Sequence, residues 1–391
     1  MGGNAFSNNG ITVTRIDGQL YHQVANELEA ILGRYYKQVL LPPSAPGKDD
    51  HGDIDFLVSE PTGNDVSEIE TAIVKEFKAA AVFRNSAMTS YAIPHPQQIG
   101  QHIQVDAQLC EPEYISWLYF ITSYGDLVPI LGSIHHKLGL IINDKGLWVQ
   151  LDLPKAILTC GVSRSEMETF LTLDPDRMMD FFGLDAAAYR KGFLTEEEIF
   201  AWIASGRYFR PIIQQSATIC KDEAKQGETA ETLDEARTTT KRRMLARFGT
   251  YSQSQSAGPR AKSIPAAIAL EAVTFFDRRK EYDTQMAYCL SEVQDFEFWR
   301  QVRAALPGSS SRKARIIRSL KKWVVLENNQ MRIGVKTVER SNLSRGNEQE
   351  SRDRFKWITQ YWEEVYEKEK TVEKEKAASS KEKNGTAERG M

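Results

Sequence analysis

Apolar residues follow a helical spacing at two places in the first 80 residues. Residues 17–36 predict a helix. Its apolar face consists of Val24, Leu28, Ile31, Leu32 and Tyr35. A second helix is expected to begin at Ser67, which forms a capping-box pattern with Glu70, and to run to about Ala80.

Alternating patterns predict strands between and after these helices. Residues 102–110 alternate, so that Ile103 and Val105 share one face of a predicted strand while Gln104 and Asp106 share the other. An earlier strand is expected to open at Asp53, with the sequence DIDFLV. Strands that alternate with helices in the first 110 residues predict an α/β unit.

Beyond residue 110 the spacing is mainly helical, which predicts an α-helical C-terminal region. Asp174 and Pro175 mark one helix start, and a Thr195–Glu198 capping box marks another. We therefore divide the chain into five predicted parts. They are an N-terminal domain of strands and helices (11–150), a helical extension (151–215), a flexible linker (216–265), a helical domain (266–366) and a charged tail (367–391) that is disordered or a fraying helix end.

Two acidic residues open the strand at residue 53. Asp53 and Asp55 point to the same face about 6.6 Å apart along the backbone, because side chains alternate along a strand. Two ionised carboxylates so placed repel one another unless a cation neutralises them. Oxygen ligands of this kind favour Mg²⁺ (or Mn²⁺). Asp106 is the best candidate for a third carboxylate, provided that it lies on the same face within about 7 Å.

This pattern resembles the DNA polymerase β-like nucleotidyltransferase superfamily. The segments GDIDFLV and IQVDAQ match the family's strand with two aspartates and its later strand with a third. The resemblance implies an α+β fold, with a nucleotidyltransferase-like mixed sheet and flanking helices over about residues 20–150 and a mainly α-helical region after it. It also implies that Asp53 and Asp55 bind two metal ions, and that Asp106 binds the catalytic one and helps to deprotonate the acceptor.

The family's Gly-Ser turn, which holds the triphosphate, has no match here. The segment PPSAPGK, residues 42–48, stands before the first aspartate instead. Ser44, Gly47 and Lys48 are the candidate nucleotide-binding residues, because their backbone and side-chain groups suit a phosphate-binding turn.

Two functions are compatible with these residues. The first is a metal-dependent nucleotidyltransferase that moves a nucleoside monophosphate from a nucleoside triphosphate to a hydroxyl group of an RNA end, a small molecule or a protein. The second is a catalytically inactive nucleotidyltransferase-like binding or scaffold protein with a locally basic helical C-terminal half. The intact aspartates favour the enzyme, and the altered turn favours the scaffold.

Charge is informative only locally, because the formal net charge of the chain is -3. Two basic stretches, 241–247 and 312–322, are candidate RNA-binding surfaces, although solvated helix faces often have the same composition. Four widely spaced cysteines and the lack of a signal-peptide pattern predict an intracellular protein, cytoplasmic or nuclear and not secreted. No apolar stretch is long enough to predict a membrane span.

Overall fold

A computed structural model describes residues 5–7, 10–210, 243–255, 265–327, 330–334, 343–344 and 346–387. These residues divide into two compact units. The first unit comprises 1–152 and 168–279, and the second comprises 153–167 and 280–391. The five-part division expected from the sequence remains a prediction, and the two units do not follow its boundaries.

A five-stranded mixed sheet forms the centre of the first unit. Its strands, in spatial order, are β2 (Tyr36–Leu40), β4 (Asp53–Pro61), β7 (His102–Leu109), β6 (Met88–Pro94) and β5 (Ala81–Asn85). β4 and β7 are parallel, and the other neighbours are antiparallel. The two short strands β1 (Ile16–Asp17) and β3 (Asp50–His51) pair separately beside it. The predicted α+β class with a mixed sheet is confirmed.

Helices α1 (Gly18–Leu32) and α2 (Val66–Glu76) pack against one face of this sheet. The predicted apolar face of α1 is the buried one, and Val24, Leu28 and Leu32 join the core. Ile54 and Val105, at the centre of the sheet, are fully buried, and each such side chain contributes roughly 1.5–3 kcal/mol. These apolar contacts fix which residues of β4 and β7 point the other way.

The start of α2 differs from the predicted capping box. Asp65 is the N-cap, and its carboxylate accepts hydrogen bonds from the backbone N–H groups of Ser67 and Glu68. Glu70 accepts instead from Arg84, at 2.7 Å. An aspartate at the N-cap accepts hydrogen bonds from the first backbone N–H groups just as the predicted serine would, so the helix forms with a shifted start.

The hairpin of β5 and β6 was not predicted. Its turn contains Ser86 at φ 53° and no glycine, so it lacks the usual hairpin signal. Five of the seven residues of β6 are buried, and the strand therefore does not show the alternation of a half-exposed one.

The rest of the first unit is built from helices and a small sheet. The helices are α3 (Ile115–Thr122), α4 (Leu127–His135), α5 (Pro175–Phe182), α6 (Ala186–Lys191) and α7 (Glu196–Ser205). The three-stranded sheet has the order β10 (Glu168–Thr172), β9 (Gly146–Gln150) and β8 (Leu140–Asn143). A short 3-10 helix spans His136–Leu138 in this unit, and two others, Lys155–Thr159 and Arg164–Met167, belong to the second unit. As predicted, Asp174 caps α5 and Thr195 caps α7.

Two further helices complete the first unit, at Arg243–Ser254 and Pro265–Phe275. The first lies within the stretch expected to be a linker. Its Phe248 is fully buried and packs on Phe200 of α7, with ring centroids 5.4 Å apart. Residues 216–242 and 256–264 of that stretch lie outside the described residues.

The second unit is mainly helical, as predicted. Its elements are the helices Arg279–Ala305, Ser310–Trp323 and Glu348–Ala387 and a hairpin of Val324–Glu327 with Gln330–Ile333. Ile316, Leu320 and Ile358 are fully buried in its core. For the segment from Glu367 the sequence left a disordered tail or a fraying helix end open, and the structure shows the segment continuing the last helix, with Glu369 paired to Lys322.

Within the part of the chain that the structure describes, no helix is both long and apolar enough to cross a membrane.

Candidate active site

The three predicted aspartates lie together on one face of the central sheet. Asp55 of β4 is the register partner of Asp106 of β7, and Asp53 is the partner of Gln104. One carboxylate oxygen from each of Asp53, Asp55 and Asp106 lies within 4.8 Å of the others. The geometric condition for a shared cation site, the same face and a short separation, is therefore met.

Strand alternation explains this placement. Ile54 and Phe56 point into the core beneath α1 and α2, so the aspartates beside them must point to the opposite face. Parallel pairing without a register shift then brings Asp106 level with Asp55. Farther along the same face of β4, Leu57 packs on Ile115 of α3, which closes that end of the site with apolar contacts.

The charge of the cluster changes the acidity of its members. As a residue, Asp55 is exposed to solvent, but its carboxyl group is largely desolvated by the protein around it. This desolvation, together with the charges of Asp53 and Asp106, raises the pKa of Asp55 to about 7. Burial also raises the pKa of Asp106, which is 6% exposed. The site is thus electrostatically costly without a positive charge.

Two neighbours hold the carboxylate of Asp106. The side-chain amide of Gln104 donates to both of its oxygens, at 2.9 and 3.1 Å. Ser90, its register partner on β6, also interacts with this carboxylate. The Gln104 carbonyl accepts from the backbone N–H of Ala5 at 2.9 Å, which fixes the orientation of the amide. Hydrogen bonds to the charged form oppose the effect of burial on the pKa of Asp106.

Ser44, Gly47 and Lys48 lie on the wall of the same cleft, which has a volume of about 890 Å³. Residues 45–48 form a tight turn, in which the Lys48 N–H donates to the Ala45 carbonyl at 3.2 Å. Gly47 has φ +72° and follows Pro46, as in a type II turn with proline at the second position and glycine at the third. The altered segment is therefore an ordered turn beside the aspartates.

Residues from the helix Arg243–Ser254 line another part of the cleft wall. Arg243 is exposed there, and Arg247 pairs with Glu196 of α7. The backbone N–H of Leu245 donates to the Asp126 carboxylate at 3.2 Å. The predicted basic stretch 241–247 thus contributes two arginines to the cleft, and its first two residues lie outside the described ones.

The second basic stretch, 312–322, lies on the helix Ser310–Trp323 of the second unit. Arg312, Arg315 and Arg318 are exposed, whereas Ile316 and Leu320 face the core. Lys322, in the same stretch, is half-buried and pairs with Glu369. Among the described residues, the structure shows no ion pair to the three exposed arginines.

Gln104, Ser90 and Arg243 were not predicted as site residues. Gln104 could have been found, since the alternation of β7 puts it on the same face as Asp106. Ser90 gave no sequence signal, because it reaches the site through the unpredicted β5–β6 hairpin. Arg243 lies in the predicted basic stretch 241–247, but its place in the cleft depends on a helix within the predicted linker.

No protein-family model and no curated protein matches the chain. Among solved structures, it is similar to a polymerase beta from Leishmania infantum, determined as a ternary P/T complex. The TM-score is 0.32 at 16% identity, with 44% of this chain and 74% of the other covered. A score of this size does not assign a function, so the functional proposal rests on the site itself.

Proposed function

We propose that the first unit is a metal-dependent nucleotidyltransferase, which transfers a nucleoside monophosphate from a nucleoside triphosphate to a hydroxyl acceptor. One observation carries the proposal. Two parallel strands bring the carboxylates of Asp53, Asp55 and Asp106 within 4.8 Å in a cleft that also contains an ordered turn with a lysine.

The donor set fits a divalent cation such as Mg²⁺ or Mn²⁺. Carboxylate oxygens are the ligands that these ions prefer. The raised pKa of Asp55 reports a repulsion among the three carboxylates that a cation would relieve. Asp53, Asp55 and Asp106 would hold the ion or ions. A bound cation would supply charge neutralisation at the phosphates and alignment of the attacking and leaving oxygens.

In the proposed reaction, the acceptor hydroxyl oxygen attacks the α-phosphorus in line. The new oxygen–phosphorus bond forms as the bond to the bridging oxygen of the β-phosphate breaks, and pyrophosphate leaves. Asp106 is positioned to take the hydroxyl proton. The Gln104 amide keeps the Asp106 carboxylate oriented for this role.

The turn at 44–48 is the proposed triphosphate site. The ammonium group of Lys48 lies close enough to the cluster for its positive charge to offset part of the rise in the pKa of Asp55. The Lys48 ammonium group can attract the β- and γ-phosphates while the α-phosphate lies over the aspartates. Arg243, exposed on the cleft wall, is a second cationic group for an anionic substrate.

For the acceptor we propose RNA. The stretch 298–323 of the second unit contains eight basic residues and no acidic one, in a chain of net charge -3. Arg312, Arg315 and Arg318 follow at intervals of three along one exposed helix face, a spacing that lets them contact successive phosphates of a strand.

The second candidate is a nucleotidyltransferase-like scaffold without activity. The observation that favours it is the segment PPSAPGK, residues 42–48, in place of a Gly-Ser turn. In that case the three carboxylates would have no catalytic role, and no nucleotide would be transferred.

The test is incubation of the chain with each nucleoside triphosphate, labelled at the α-phosphate, together with Mg²⁺ and total RNA. The nucleotidyltransferase is expected to label RNA, and the Asp53→Ala/Asp55→Ala variant is expected not to. Equal labelling by both proteins would refute the enzyme, and absence of labelling with every acceptor class would favour the scaffold.

A further inference from the structure

We infer that Tyr21 and His51 are positioning residues, which hold the turn at 44–48 in the geometry that binds the substrate's triphosphate. This inference rests on the proposed function, because it concerns how this chain builds a phosphate site without the Gly-Ser turn. Neither residue needs to touch the reacting atoms.

The two side chains form a buried stack beside the turn. Tyr21, on α1, is 5% exposed, and His51, on β3, is 3% exposed. Their ring centroids are 3.9 Å apart and their planes differ by 22°. Pairing of Ile16 with His51 ties β3 to the strand just before α1, so helix and histidine are held as one piece.

Each ring reaches one end of the turn. The Tyr21 side chain interacts with the Ser44 side chain, and both line the cleft. The Nε2 of His51 lies 3.1 Å from the Lys48 carbonyl oxygen and, as the N–H tautomer, donates to it. One stacked pair therefore spans the turn and fixes both residues that are candidates for phosphate contact.

A third contact holds the turn from the other side. The Tyr124 N–H donates to the Pro43 carbonyl at 2.7 Å, and a Cβ at Gly125 would come within 3.1 Å of Ala45. Gly125 also has φ +64°. The turn is thus packed closely between two loops and α1, which is the preorganisation that a phosphate site needs.

The position of Tyr21 links the turn to the carboxylates. The charges of Asp55 and Asp53 act on the phenol, so it lies near both. A shift of the ring would therefore change the distance from Ser44 and Lys48 to the aspartates, and with it the fit of the triphosphate.

The test measures binding of inorganic tripolyphosphate with Mg²⁺ by calorimetry, on the full chain. Tyr21→Phe retains the stack and removes one hydroxyl, and His51→Phe retains the stack and removes the bond to Lys48. Each is expected to weaken binding about 3- to 10-fold, which corresponds to one lost hydrogen bond. The matched control is Tyr35→Phe, which loses a hydroxyl bond to Glu76 away from the cleft and is expected to bind normally.

Nucleotide kinetics give the second readout. Tyr21→Phe is expected to raise KM for the triphosphate about 3- to 10-fold with little change in kcat. Wild-type tripolyphosphate affinity in both cleft variants, an equal loss in Tyr35→Phe, or no binding by the wild type would overturn the inference. If the variants lose tripolyphosphate affinity but the wild type transfers no nucleotide, the proposed function fails and the inference about the turn stands.

Discussion

Gln104 donates from one amide group to both carboxylate oxygens of Asp106, two residues along the same face of β7. The amide itself is held by the backbone of Ala5. The most buried aspartate of the cluster is therefore oriented before any ligand binds. In metal sites, residues that do not bind the metal themselves often orient the metal-binding side chains in this way.

Replacement of Gln104 by alanine is expected to lower kcat/KM for nucleotide transfer about 10- to 100-fold, because the loss of such an orienting partner has effects of this size. The assay is initial-rate kinetics with the labelled triphosphate. Gln38→Ala is the matched control, since Gln38 donates to Glu60 on the same sheet outside the cleft. A normal rate in Gln104→Ala would contradict the orienting role.

Mg²⁺ is expected to raise the melting temperature of the wild-type protein at pH 8, where the carboxylates are ionised. A cation that binds only the folded state adds about 2.7 kcal/mol to the free energy of unfolding at 100 times its dissociation constant. The Asp53→Ala/Asp55→Ala variant should show no such increase. An identical increase in both proteins, measured by thermal denaturation, would place the metal effect elsewhere.

The triple change of Arg312, Arg315 and Arg318 to alanine is expected to weaken binding of single-stranded RNA. It should also reduce the slope of log K against log salt by about 2, because each phosphate contact contributes about 0.7. Fluorescence anisotropy at several salt concentrations measures both.

The control for this prediction removes the same charge from paired arginines. Arg190, Arg332 and Arg352 each contact an acidic side chain, and their triple replacement should leave the salt slope nearly unchanged. If both triple variants lose RNA affinity equally, the helix face has no specific role.

Acid is expected to destabilise the first unit through His135. Burial lowers its pKa to about 4, and the ring stacks on Phe182 at 3.8 Å. The unfolded state therefore binds more protons between about pH 6.5 and 4, so stability falls as the pH falls through this window. The loss is on the order of 3 kcal/mol.

His135→Phe is expected to flatten this dependence, as measured by urea denaturation between pH 7 and pH 4. The neighbouring exposed His136 provides the control, and His136→Gln should retain the wild-type slope. An unchanged slope in His135→Phe would show that another group causes the acid sensitivity.

The aspartate cluster was predictable because it depends on two simple regularities. Alternation places Asp53 and Asp55 on one face, and an apolar context marks the strand that carries Asp106. The sequence could not show that these strands are parallel neighbours with Asp55 level with Asp106, because register depends on contacts distant in sequence.

Other parts of the site depend on tertiary packing. Tyr21 looks like an ordinary helix residue until the pairing of β1 and β3 places His51 against it. Arg243 lies in a polar stretch without a clear period, and its helix is stabilised by packing of Phe248 on Phe200. Packing of this kind overrides local propensity, so the composition of this stretch predicted a linker where the structure has a helix.

The most direct test of the central claim compares two labels of one nucleoside triphosphate. With Mg²⁺ and RNA, nucleotidyl transfer by Asp53, Asp55 and Asp106 should move an α-phosphate label to the RNA and release a γ-phosphate label as pyrophosphate. The Asp106→Asn variant should do neither at a comparable rate. Transfer of the γ label to the acceptor, or α-label transfer that is unaffected by Asp106→Asn, would contradict the assignment.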